Sequence, residues 1–316
     1  MPAISCTAPG KVILCGEHAV VYQKPAIAIP VFEGSTKCSI HAMPTAPHDE
    51  TIVIAPNIGL KCLLPCLVEN HPIRVAINLV LKKLDLDHLP VCEIRIHSTL
   101  PTAAGLGSSA STSVALIRAL STFLGRSFTD DEVNEGAFEI EKIHHGTPSG
   151  IDNTVITYAK TLFFIKDKPY EFLLPGKPIT LIIADTGIKG STSKAVSDVK
   201  QGYLENPIKY ENLFNHIGEI SLSVRKSFLA GDLVSVGKLL TENHMLLREM
   251  GVSSDKLDEL VNCALNHGAL GAKLSGGGQG GNMIALVEST QAESISAALK
   301  LKGAVNTIIT HLPAKG

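Results

Sequence analysis

Apolar residues along this chain recur with two different periods, and the places where the period changes mark out its elements. Over the first sixty residues, VILC (12–15), PAIAIPV (25–31) and STKCSIHAM (35–43) are β-rich runs bounded by glycine, proline or charge, and they predict strands. Ile73, Ile77, Val80, Leu81 and Leu84 then recur at the spacing of a helix over 73–84. CEIRIHS (92–98) alternates, with Ile94 and Ile96 on one face, as a half-buried strand does. Ala110, Val114, Ile117, Leu120 and Leu124 form the stripe of a second helix, which Gly125 closes. Thr129 opens a third: Thr129 and Glu132 fit a capping box, and Asp130 and Asp131 suit the positive end of a helix. That helix is predicted to run to about residue 144 and to break in HGTPSGID (145–152), with strands expected near 153–165.

At about residue 176 the pattern restarts. ITLIIAD (179–185) reads as a buried strand, and helical stretches follow at about 192–204, 209–230, 233–250 and 255–267. KLSGGGQGGNMIALVE (273–288) reads as a glycine-rich loop feeding a strand, before a helix at 291–302 and a strand at 304–311. The expectation is two α+β domains, 1–175 and 176–316, with function carried on loops. A length of 316 residues suits two domains.

Composition narrows the function classes. Hydrophobic residues make up 45% and charged residues 18%, the balance of a chain with a sizeable core. Lys plus Arg number 28 against 30 Asp plus Glu, so there is no basic excess to suggest a nucleic-acid partner. The 7 cysteines are odd in number, include no C-x-x-C, and pair Cys62 and Cys66 with no second ligand pair, which predicts reduced thiols rather than disulfides or zinc. MPAISCTAPGK lacks the form of a signal peptide, and no run reaches the ~18 apolar residues of a membrane span. The expected location is cytoplasmic and the expected partner a small molecule; a homodimer is admitted, since the sequence does not fix the oligomeric state.

Two glycine loops carry the candidate chemistry. Gly105, Gly107 and Ala110, with Asp130 beyond them, imitate a dinucleotide-binding fingerprint. Two features argue against it: Asp130 begins a helix instead of ending a strand, and Pro101 and Thr102 separate the glycines from the strand before them. A phosphate-binding reading fits better, because a glycine turn at a helix start presents unpaired N–H groups and a partial positive charge. Ser108 and Ser109 add hydroxyls, one of which could ligate Mg²⁺. The P-loop pattern is absent, and on this loop alone a plain strand–turn–helix connection stays open. Gly276, Gly277, Gly278, Gly280 and Gly281 crowd a second loop, which suggests close approach of backbone to something else. Glu141, His144 and His145 could be misread as a zinc site, but they lack the i, i+4 histidine pair and a third ligand.

APGKVILCGEHAVVYQKPAIA (8–28), PTAAGLGSSAS (101–111) and KLSGGGQGGNMIAL (273–286) resemble, in order, the three motifs of the GHMP small-molecule kinases, across almost the whole chain. PGKVILCGEHAVV (9–21), PNIG (56–59) and HGTPSGIDN (145–153) are most similar to the members that phosphorylate mevalonate. The resemblance implies a non-Rossmann nucleotide cleft, an N-terminal domain resembling ribosomal protein S5 domain 2, a ferredoxin-like C-terminal domain, and ATP and Mg²⁺ as cofactors. It implies Asp152 as the carboxylate that orients or deprotonates the alcohol, and Lys11 as the cation on the phosphoryl group; a nearby lysine would also keep Asp152 ionised. It implies Ser109 and Glu141 as Mg²⁺ ligands, with Glu141 at the edge of the stripe of Val133, Ala137 and Ile140. It implies ATP contacts at Asn57, Ser98, Ala103, Ala104, Gly105, Leu106, Gly107, Ser108, Ser109, Gly276, Gly277 and Gly278. Glu17, His18 and Thr192, or a hydroxyl beside Thr192, would face the acceptor.

Overall fold

The computed structural model describes residues 3–47, 50–101, 105–145 and 149–314, the side chains of residues 144 and 145 excepted. The chain forms two compact units that are not contiguous in sequence: Met1–Gly10, Gly34–Thr102 and Gly107–Ala159 make one, and Lys11–Glu33, Ala103–Leu106 and Lys160–Gly316 the other. A single cut near 176 divides the chain differently, because residues 11–33 and 160–175 belong with the second unit. Two long strands, β1 (Ile4–Cys15) and β2 (Ala26–Ala42), contribute to both.

In the first unit, β5 (Cys92–Ser98) pairs antiparallel with the second half of β2, from Thr36↔Ser98 to Ala42↔Cys92. On its other side it pairs parallel with β3 (Ile52–Ala55), which forms a hairpin with β4 (Leu60–Leu63). The alternation read in β5 holds: Cys92, Ile94 and Ile96 join Cys38, Ile40 and Val53 in the core. The helices α1 (Pro72–Lys83), α2 (Ser108–Phe123) and α3 (Asp130–His145) supply the rest of that core. The capping box before α3 forms as expected, with Glu132 N–H donating to Thr129 Oγ1 and Thr129 N–H donating to Glu132 Oε2. One element departs from expectation. Residues 151–158 are a helix, α4 (Ile151–Tyr158), and only β6 (Thr161–Phe164) is a strand in the stretch 153–165. The β-branched run TVIT favours a strand locally, but burial of Val155 and Ile156 beside α2 and α3 outweighs a weak intrinsic preference.

The second unit is built on a four-stranded sheet in the order β11 (Asn306–Leu312), β8 (Ile179–Asp185), β10 (Asn282–Val287), β9 (Gly271–Ser275), antiparallel throughout. Counted in chain order this is 4-1-3-2, the arrangement of a ferredoxin-like fold. α5 (Thr192–Glu205), α6 (Pro207–Ala230), α7 (Leu233–Glu249) and α8 (Asp255–Asn266) lie between β8 and β9 in sequence, and α9 (Ala292–Leu301) lies between β10 and β11. The stretch beginning at 273, expected as loop, is in part the strand β9, which is buried along its length. β6 and β7 (Glu171–Leu173) also join this unit, β6 pairing with Ala26–Ala28 of β2.

An edge strand carries a row of unpaired backbone groups that must be covered. Here α7 covers the free edge of β9: Ala272 N–H donates to Thr241 Oγ1 and Leu274 N–H to His244 Nδ1. Such closeness requires glycines at the crossing. A Cβ at Gly271 would lie 1.9 Å from the Gly237 carbonyl oxygen, and one at Gly237 would lie 2.2 Å from that of Leu270. Among the described residues, no helix is long and apolar enough to cross a membrane.

Candidate active site

In the first unit, α2 begins at Ser108 behind Gly107, whose φ of 71° and ψ of 31° are left-handed. Among the described residues no side chain caps this helix start, and no acidic residue occupies its first turn. A helix start of this kind suits an anion, because its leading N–H groups and dipole favour negative charge. Ser109 Oγ donates to Glu141 Oε1 at 2.7 Å, and Glu141 on α3 is only 4% exposed. The two residues implied as Mg²⁺ ligands are thus held together. Asp152 is the second residue of α4, behind left-handed Gly150, and is half-buried. Its neighbours fix that helix start: Thr154 Oγ1 donates to the Gly150 carbonyl at 2.7 Å, and Asn153 Nδ2 to Asn134 Oδ1 at 2.7 Å. Asn57 and Ser98 also meet, Asn57 Nδ2 donating to the Ser98 carbonyl and Ser98 N–H to Asn57 Oδ1. This reciprocal pair ties the 56–58 turn to the end of β5. Ala103 and Ala104 lie outside the described residues, as do the side chains of His144 and His145. Asp130 pairs with Arg118 at 2.7 Å at the start of α3, which leaves the dinucleotide reading without its acidic residue at a strand end.

In the second unit, Lys11 is buried in β1, and its N–H donates to the Leu106 carbonyl at 3.0 Å. Ser275, at the end of β9, fixes the neighbouring stretch of β1, since its Oγ accepts from Ile13 N–H and donates to the Ile13 carbonyl. Beyond β1 the chain turns sharply at Gly16, Glu17 and His18. Glu17 was expected to face the acceptor; its carboxylate is buried against Lys273, a residue with 0% exposure on β9. Burial pushes the Glu17 carboxyl above its ordinary range, while Lys273 and the Gly276 N–H oppose that rise. His18 Nε2 lies 3.0 Å from the Gly277 carbonyl, which can only accept, so Nε2 carries the hydrogen. Burial lowers the His18 pKa to about 4, leaving the ring neutral at physiological pH with Nδ1 as an acceptor.

Thr192 opens α5 on the other side of the same loop. A Cβ at Gly277 would lie 3.1 Å from Thr192 Oγ1. Of the three adjacent hydroxyls, Ser191 caps α5 through Lys194 N–H and contacts Ser193, whereas Thr192 lies against the glycine loop. Gly278 could carry no side chain, because its Cβ would fall 2.0 Å from the Val252 carbonyl oxygen. His18, Thr192, Gly276 and Gly277 therefore gather in one place, with Glu17 and Lys273 beneath them.

Sequence reasoning missed Lys273 and a second buried group, His244. The latter accepts from Leu274 N–H through Nδ1 and faces Asp258 through Nε2 at 3.2 Å. The available signal for Lys273 was a lysine within an otherwise apolar run, GAKLS, immediately before the glycines. Burial lowers the His244 pKa to about 4, against the pull of Asp258. Both histidines have folded-state values below the ordinary 6.5. Between pH 6.5 and 4 the unfolded chain therefore binds protons that the native state refuses, and stability falls as pH is lowered through that window. Melting temperature measured from pH 7 to 4 should decline over this interval, and His244→Gln should flatten the decline.

Comparison with known proteins identifies the family. The pattern of the GHMP kinases N terminal domain matches residues 70–160, and that of the GHMP kinases C terminal domain matches residues 224–305. The chain is 33% identical over 334 aligned positions to the mevalonate kinase of Pyrococcus horikoshii, covering 99% of this chain and 96% of that one. The chain belongs to the GHMP kinase family of ATP-using phosphotransferases. Within that family it is most like the mevalonate kinases. The crystal structure of L. major mevalonate kinase in complex with R-mevalonate matches it with a TM-score of 0.84 at 33% identity, over 99% of this chain and 96% of that one. The Methanococcus jannaschii mevalonate kinase matches with a TM-score of 0.86 at 26% identity, over 100% and 99%.

Proposed function

We propose that this enzyme transfers the γ-phosphate of ATP to the 5-hydroxyl of mevalonate, giving 5-phosphomevalonate and ADP. The observation that carries the reading is the convergence of His18 and Thr192 on Gly277 within a chain that is like mevalonate kinases along its full length. Mevalonate is a small hydroxylated carboxylate, and a few fixed polar groups suffice to orient such a molecule.

In this reading the N–H groups of Ser108 and Ser109 at the start of α2 meet the phosphates of ATP, with Asn57 and Ser98 of the same unit toward the nucleoside. Ser109 and Glu141 suit Mg²⁺. Both offer oxygen, and a magnesium site commonly uses one or two protein ligands together with substrate phosphates and water. When bound, the ion offsets phosphate charge. Asp152 takes the proton of the 5-hydroxyl as the new O–P bond forms and the bond between the γ-phosphorus and the β,γ-bridging oxygen breaks, the electron pair leaving with ADP. Lys11 stabilises the negative charge that gathers on the phosphoryl oxygens.

The test is an ADP-release assay offering mevalonate, phosphomevalonate, homoserine and galactose in parallel, repeated over a Mg²⁺ titration. Turnover is expected with mevalonate, and Glu141→Gln should raise the Mg²⁺ needed for half-maximal rate by about tenfold or more. Turnover with another acceptor and none with mevalonate would overturn the substrate assignment.

A further inference from the structure

A lysine with no exposed surface is uncommon, and a buried ion pair is in general no more stabilising than well-packed apolar side chains of the same size. Lys273 lies in the middle of β9, where its neighbours Ala272 and Leu274 are core residues. Its Nζ donates to Glu17 Oε1 and to the Leu274 carbonyl. A methionine there would fill the same space, so packing does not account for the charge.

The feature that does account for it lies one residue beyond Glu17. His18 has φ 60° and ψ −49°, a conformation that side-chain-bearing residues rarely adopt. Strain of this kind persists only where the surroundings over-determine it. The segment is held on both sides of the strained peptide. Upstream, the Glu17 carboxylate is anchored to Lys273; downstream, the His18 ring is anchored to the Gly277 carbonyl. Both anchors belong to one stretch of chain, β9 and the glycine loop that follows it.

We infer that Lys273 is a positioning residue: through Glu17 it holds His18 in its left-handed conformation, so that the ring keeps Nε2–H on Gly277 and presents Nδ1 to a hydroxyl of the acceptor. This rests on the proposed reaction and sharpens it. With Nε2–H on the Gly277 carbonyl, Nδ1 of the neutral ring is an acceptor and suits a hydroxyl donor of the substrate.

The charged and titratable groups around the pair are Cys15 on β1, His18 on the turn and His244 on α7. Burial pushes Cys15 up to about 12 and holds both histidines at about 4, so none of them titrates between pH 6 and 8. Removing Lys273 takes away the charge that opposes the rise of the Glu17 carboxyl, so its pKa moves further up.

The experiment uses the full-length protein with Lys273→Met, Glu17→Gln and the double variant. Histidine-selective ¹⁵N spectra report the tautomer of His18, and steady-state kinetics report KM for each substrate. In Lys273→Met, the His18 signal is expected to lose its single Nε2–H form. KM for mevalonate should rise at least tenfold, and KM for ATP should stay within about twofold. The double variant should not recover KM for mevalonate. An unchanged His18 tautomer, or equal changes in both KM values, would overturn the inference and leave Lys273 a purely structural residue. If Lys273→Met does not fold, Glu17→Gln decides by the same two readouts. If the wild-type enzyme uses another acceptor, the substrate assignment fails while the His18 spectra and that acceptor's KM still judge Lys273.

Discussion

Asp152→Asn is expected to lower kcat by roughly 10²- to 10⁴-fold, the range general-base groups contribute. ATP binding should persist, measured by calorimetry with a non-hydrolysable analogue. Asparagine keeps the shape of the side chain but cannot take the hydroxyl proton. The fold should tolerate the change. Asp152 is half-buried in the first turn of α4, and the start of that helix is fixed by Thr154 on Gly150 and Asn153 on Asn134. The lost helix-end charge is worth only about 0.3–1 kcal/mol. Because the interaction matters chiefly as the bond forms, kcat should carry the loss and KM for mevalonate should move little. Near-normal turnover in this variant would remove Asp152 as the base.

The second large effect is on stability. Gly271→Ala should cost about 3 kcal/mol or more, lowering the melting temperature by roughly 6–12 °C. The added methyl would sit 1.9 Å from the Gly237 carbonyl oxygen, and neither backbone can yield without separating α7 from β9. Separation would also withdraw Thr241 Oγ1 and His244 Nδ1 from the β9 edge, exposing Ala272 and Leu274 N–H. A melting temperature within a degree of wild type would mean that the contact is looser than described.

Elements with a clean local signal were legible in the sequence. β5 falls on residues 92–98 as read, and the capping box places the start of α3. The 73–84 stripe gives α1 to within a residue. α4 was misread because its β-branched residues favour a strand, and only contact with α2 and α3 makes the helix the better solution. β9 was read as loop because the glycines after it dominate the pattern, although GAKLS is fully buried. In the candidate site, the serine turn and the glycine loop stand out by composition, and Ser109 with Glu141 could be paired through the family resemblance. The Glu17–Lys273 pair could not be read. Its members lie 256 positions apart, and nothing in a one-dimensional pattern reports a contact at that separation.

The interleaving of the two units has a consequence for how this protein can be cut or recombined. A fragment beginning at Lys160 would lack Ala26–Ala28, the partner of β6, and Ala19, which sits in the core of its own unit. A fragment ending at Ala159 would carry residues 11–33 with no structure of their own to join. Neither contiguous half holds a complete unit, so exchanging one unit among relatives requires crossovers around residues 11–33 and 103–106 as well as near residue 160.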